Sequence, residues 1–161
     1  MAQGIDLRLT VNEVFSLKEQ DANLYSPLNL AFIGDSVFDL VVKTVLIGTA
    51  NRPVNALQKK TSSVVKADSQ SAMLDAIYDE LSEEERNIYR RGHNAKPNTR
   101  AKNADMQSYL KATGFEALMG YLYLKDRTER LTELVRLGLE RTEDTGAKNT
   151  TRSKPHCQRR F

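Results

Sequence analysis

Apolar residues recur at three- and four-residue spacing along most of the chain, the period of helices with one face turned to a core. Ser26-Pro27 reads as a helix start, with serine capping and proline at the first helical position. Apolar positions 30, 33, 37, 40, 41 and 45 carry that helix to about Leu46, and Gly48 ends it. Arg52-Pro53 opens a less regular helix to about Val65, and Ala72, Met73, Ala76, Ile77 and Leu81 lie on the next. Ser82-Glu83-Glu84-Glu85 spells a capping box, in which serine accepts from the third backbone amide and Glu85 reaches back to the cap. That helix runs through Ile88 and Tyr89 to a stop at Gly92, and residues 92–103 have no apolar period and read as a loop. Helices resume at about 104–125 and 128–141. Residues 1–24 carry weak pattern, a short strand or turn and one short helix. With no internal repeat and no strand pairing, the fold class is all-α. The chain divides into an N-terminal segment (1–25), one domain (26–141) and a polar, basic tail (142–161) whose composition predicts disorder.

Two carboxylates break this apolar pattern. Asp35 interrupts the stretch from Leu28 to Val42, and Glu116 interrupts the stretch from Ala112 to Leu124. An ionised carboxylate on a core-facing stripe is costly unless it is paired, hydrogen-bonded or holding a metal. Magnesium takes hard oxygen ligands and keeps several waters, so one or two protein carboxylates suffice to bind it. Such an ion can activate water and polarise a phosphoryl oxygen. Gly34 before Asp35 and Gly114 before Phe115-Glu116 would let backbone approach closely. The alternative reading is structural: an acid paired with an arginine or set against a helix end.

Charge sharpens the choice. Of 161 residues, 24 are Lys or Arg and 21 Asp or Glu, a net charge of only +3, so distribution matters more than the total. From Arg86 to Lys102 there are six basic residues and no acid. Arg90, Arg91, Lys96, Arg100 and Lys102, with His93 and Asn94 as hydrogen-bonding neighbours, suit the phosphates of duplex RNA, whose bases lie hidden in a deep groove. The plainer reading is a solvated loop. The single cysteine, Cys157, excludes a disulfide within the chain. No apolar run approaches the roughly 20 residues of a membrane span. The N-terminus lacks the apolar region of a signal peptide, which leaves the cytoplasm as the expected compartment.

The strings themselves say more. Leu30-Ala31-Phe32-Ile33-Gly34-Asp35-Ser36-Val37 and Thr113-Gly114-Phe115-Glu116-Ala117-Leu118-Met119-Gly120-Tyr121-Leu122 resemble the two acidic helices of the ribonuclease III catalytic domain. The stretch from Lys60 to Ala72 resembles the helix between them. Arg90-Arg91-Gly92-His93-Asn94-Ala95-Lys96, with Lys102-Asn103, is similar to the Mini-ribonuclease III branch in particular. The resemblance spans about residues 26–141. It implies an all-helical, dimeric, magnesium-dependent endonuclease for double-stranded RNA, without an appended RNA-binding domain, that matures large-subunit ribosomal RNA precursors. It places Asp35 and Glu116 on the catalytic, metal-holding carboxylates. Full-length ribonuclease III enzymes carry a glutamate where this chain has Ala31 and an aspartate where it has Thr113, and the Mini branch resembles this chain at both places. Without those two acids, an RNA-binding or ribosome-assembly module on the same helical dimer is the alternative.

Other residues have plainer readings. Asp39 reads as an outward helix charge, and Asp105 as an acid at a helix start. Apolar Phe32, Val37, Leu40 and Val41 exceed what a small monomer covers, so part of that helix is expected to pack on a symmetry mate.

Overall fold

The computed structural model describes residues 6–95 and 105–150, with side chains described as far as Glu143. The described part is helical. Its α-helices are α1 (Leu7–Val14), α2 (Pro27–Thr49), α3 (Val54–Val65), α4 (Ala67–Ile77), α5 (Glu83–His93), α6 (Asp105–Leu124) and α7 (Thr128–Thr150), with single 3-10 turns at Ala22–Leu24 and Tyr78–Glu80.

Local chemistry sets the ends. Ser26 Oγ accepts from the Asn29 amide at 3.2 Å, and Pro27 follows as the first residue of α2. The capping box of α5 is complete: Ser82 Oγ accepts from the Glu85 amide at 3.2 Å, and Glu85 Oε2 accepts from the Ser82 amide at 2.8 Å. Asp105 stands in the first turn of α6. Gly48 does not end α2, which continues to Thr49, with the Ala50 amide still bonding Leu46 O at 3.3 Å. A glycine inside a helix weakens it by about 1 kcal/mol without breaking it, and the cost is met here by packing further up. Helix α4 begins at Ala67, earlier than its apolar pattern announces, and Leu81 is buried beyond it, after the 3-10 turn. Helix α7 runs on to Thr150, into polar sequence that suggests no order.

Helix α6 is the axle. From Ala112 to Leu122 every residue is buried except Glu116, and a helix apolar on all sides belongs in the middle of a fold. It packs most extensively on α2, then on α5 and α4, with α7 laid over α4. Phe38 of α2 meets Phe115 edge-on, ring centroids 5.1 Å apart at 88°.

Two glycine crossings fix the spacing of these helices. A Cβ on Gly34 would lie 1.7 Å from Glu116 O, and one on Gly120 would lie 2.0 Å from Leu30 O. The backbones of α2 and α6 therefore touch, which only glycine allows at those two points. A second crossing sets Gly92 of α5 against Gly114 of α6, where an added Cβ on Gly92 would come within 2.8 Å of Gly114 Cα. At the far end of α5, buried Glu85 takes two hydrogen bonds from Arg130 of α7, at 2.9 and 3.0 Å. Arg130 also donates to Glu80 O at 2.7 Å and to Glu133 at 2.9 Å.

Candidate active site

The α2–α6 crossing determines where the two acids meet. Gly34 is pressed against the backbone of Glu116, so the next residue, Asp35, leaves the contact at its edge and faces solvent. Glu116 is half-buried at the same edge, the one break in the buried run of α6. Burial pushes the Glu116 carboxyl up to about 7, and the negative charge of Asp35 adds to the rise. A hydrogen bond with Asp35 acts in the same sense, whereas one from the Gln70 side chain pulls the value down. The α2–α6 crossing brings the two acids to the same edge. Both were expected on a buried stripe, but only Glu116 is partly withdrawn from water.

Among the described residues no cation compensates them. Among the described residues no Lys, Arg or His forms an ion pair with Asp35 or Glu116, and neither keeps a further partner. Among the described residues an arginine partner, the mark of a purely structural acid, is missing. Among the described residues no cluster of three or more His, Cys, Asp or Glu forms either. Two hard carboxylate oxygens at a solvent-facing edge fit a divalent cation that retains most of its water, of the magnesium type. The positions where two further acids would stand add no ligand. Ala31 is buried, and the buried Thr113 turns its hydroxyl to its own helix, donating to Tyr109 O at 2.9 Å.

Gln70 of α4 was not singled out by pattern. It is 1% exposed, and its Nε2 donates to Val65 O at 3.0 Å. The signal was available: Gln70 takes the place of an apolar residue in the stripe continued by Met73, Leu74 and Ile77.

The start of the basic arm lies beside α6. The Gly92–Gly114 crossing lays the C-terminal end of α5 against α6 just before Glu116. Arg90 and Arg91 are exposed there, and neither forms an ion pair among the described residues. Arg91 Nη2 does donate to Tyr25 O at 3.3 Å, which steadies its stem. His93 Nδ1 lies 3.0 Å from Asn94 Oδ1, and its ring leans on that of Tyr89 at 5.7 Å. Lys96, Arg100 and Lys102 lie outside the described residues. Asp39 is paired with Lys43 at 2.6 Å, one turn away on α2, and takes no part in the site.

An all-helical domain with two carboxylates at one edge, and exposed arginines on the adjoining helix, suits a phosphodiester hydrolase. The ribonuclease III domain description matches residues 28–127. A Mini-ribonuclease 3 of Thermoanaerobacter sp. is 50% identical over 119 residues, covering 74% of this chain and 84% of the relative. One of Clostridium tetani is 44% identical over 128 residues, covering 79% and 85%. A crystal structure of a Fusobacterium nucleatum protein superposes with a TM-score of 0.66 at 28% identity, covering 75% of this chain and 97% of the other. The chain belongs to the ribonuclease III family, on its Mini-ribonuclease III branch. It is an endoribonuclease.

Proposed function

We propose that this endoribonuclease cleaves double-stranded RNA with magnesium, as a homodimer in the cytoplasm, and that large-subunit ribosomal RNA precursors are its substrate. The observation that carries the catalytic part is the convergence of Asp35 and Glu116 without a basic partner among the described residues. Asp35 and Glu116 would hold the ion, which supplies charge for the phosphoryl oxygens and lowers the pKa of water. The chain's own work is placement. Its α2–α6 crossing fixes two carboxylates against each other. Packing of α5 on α6 at Gly92 and Gly114 brings the helix end that carries exposed Arg90 and Arg91 close to the Glu116 segment, and these two would hold backbone phosphates without reading sequence.

Exposed apolar surface on α2 supports the dimer. Phe32 is 81% exposed and Leu40 56%, with Val37 and Val41 half-buried beside them. Leu40 and Val41 also line an open apolar groove of about 680 Å³ between α2, α3 and α7. Surface of this kind marks an interface, and an isologous one gives two sites related by a two-fold axis, one for each strand. Membership of the Mini-ribonuclease III branch supports the ribosomal substrate, and among the described residues no helix is long and apolar enough to cross a membrane.

The test is incubation of the purified protein with a long RNA duplex, with and without magnesium, beside a single strand of the same sequence and a duplex stem from a ribosomal RNA precursor. Short double-stranded products that need magnesium are expected from both duplexes. Binding of the duplex without cleavage under every metal condition would leave an RNA-binding module and refute the nuclease.

A further inference from the structure

We propose that the apolar groove between α2, α3 and α7 receives α1 of a second copy of this chain, in a reciprocal exchange across the homodimer. The inference rests on the homodimer proposed above and names two of the surfaces that hold it.

Helix α1 lies before the residues that match the ribonuclease III domain, so its placement is a feature of this chain rather than of that domain. It is turned the wrong way for a helix that belongs to a core. Arg8 is buried and Asn12 half-buried against the domain, whereas Leu7, Val11 and Val14 are exposed, Val14 to 71%. Those three stand at i, i+4 and i+7, the spacing of an apolar stripe, which ordinarily faces the interior. The helix packs extensively on no other helix. Its tie is polar: Arg8 Nε donates to Asp126 Oδ1 at 2.7 Å and Nη2 to Oδ2 of the same carboxylate, at the turn between α6 and α7. This bond holds the apolar stripe toward water.

The groove is the complementary half. Leu40, Val41, Val45, Leu57, Val135 and Leu139 line about 680 Å³ of open apolar space, and no residue of α1 is among its walls. Leu40 and Val41 belong to the α2 surface already assigned to the dimer, so the groove continues that interface. An amphipathic helix laid in an apolar groove, anchored at i, i+4 and i+7, is a recurrent mode of protein recognition. Charge agrees with the pairing. With Arg8 neutralised by Asp126 and Glu19, α1 and its cap offer a partner only the acids Asp6 and Glu13. At the groove rim, Arg52 and Lys60 are exposed, and neither forms an ion pair among the described residues. Because one chain carries both helix and groove, a two-fold axis uses each of them twice.

Cysteines test the contact directly, in the full chain carrying Cys157→Ser. Val14→Cys and Val45→Cys are made on separate chains, one of them affinity-tagged, and mixed under mild oxidation. A disulfide needs Cβ atoms about 4 Å apart, so a covalent tagged–untagged heterodimer is expected, in greater yield than either variant gives alone. Sedimentation velocity then compares wild type with the double variant Val11→Ser, Val14→Ser, both on the exposed stripe. Its dimer Kd should rise by about tenfold or more, with the helical circular dichroism of the fold retained. In a wild type that dimerises, absence of the mixed disulfide, or an unaltered Kd in the double variant, would overturn the exchange and leave the homodimer in place. The groove would then belong to another occupant. A wild type that sediments as a monomer at micromolar concentration would overturn both. With the two cysteines on one chain, a disulfide closed within a monomer would seat α1 in its own groove and would also overturn the exchange.

Discussion

Gly34 does more for the site than any charged residue, because it decides how close α2 comes to α6. An alanine there would put its Cβ 1.7 Å from Glu116 O, backbone against backbone, where no rotamer change relieves the clash. Gly34→Ala should therefore cost at least about 3 kcal/mol, the upper range for overpacking, and separate Asp35 from Glu116. Chemical denaturation and duplex cleavage should fail together. Gly48 is the counter-case: a Cβ there meets nothing within 4 Å, and the residue is helical. Gly48→Ala should stabilise the fold by about 0.5–1 kcal/mol without altering cleavage. If both substitutions behave alike in a urea titration, the glycine crossing does not control the site. Ala31 and Thr113 bear on the same scale, since two buried positions without a carboxylate leave Asp35 and Glu116 as the acids of the site.

Among the elements, α5 is tied at both ends, and its N-terminal tie is electrostatic. Burial would raise the Glu85 carboxyl, but the Arg130 hydrogen bonds and the Ser82 amide outweigh it and hold it below the usual glutamate range. A carboxylate with a lowered folded pKa stabilises above its unfolded value of about 4.3, and that contribution is lost as pH falls through the folded value. The Glu85 contribution should thus be constant near neutrality and be lost below about pH 4.3, and Glu85→Gln should flatten part of that acid decline. Glu85→Ala should cost about 3 kcal/mol near neutral pH, the low end for breaking a buried pair, because the Arg130 side chain stays 28% exposed. Melts across a pH series check both, and an acid limb unchanged in Glu85→Gln would contradict the assignment. Helix starts with local chemistry were legible in the sequence: Ser26-Pro27 and the Ser82–Glu85 box do what their residues dictate. Ends were less so. Gly48 lacks the tertiary reason to stop α2, and α7 continues past the last apolar position. Periodicity marks which face is buried, whereas the last turn of a helix follows from neighbours the pattern does not contain. Gln70 escaped for a related reason: an amide on an apolar stripe acquires meaning only when its partner, Val65 O, is in place.

At the scale of the molecule, exposed apolar residues on α2 and exposed arginines on α5 are the surfaces on which the proposed dimer and its duplex would rest. Phe32→Glu places a charge in the proposed interface, so sedimentation should show monomers at micromolar concentration and cleavage should drop, with the monomer fold retained. An unchanged dimer would move the interface elsewhere. Arg90→Ala with Arg91→Ala should weaken duplex binding and lower the salt slope of log affinity by roughly one unit per lost contact, with thermal stability nearly unchanged. An unaltered slope would remove these two residues from the RNA surface. The pairing of Asp35 and Glu116 underlies all of this, and Glu116→Gln tests it most directly. The substitution keeps shape and hydrogen bonding while removing the charge that burial and Asp35 disfavour, so the melting temperature should not fall. Single-turnover cleavage of an RNA duplex at saturating magnesium should drop by about 100-fold or more with duplex affinity retained, the signature of an interaction needed for chemistry rather than binding. Cleavage by Glu116→Gln at the wild-type rate would contradict the account at its centre.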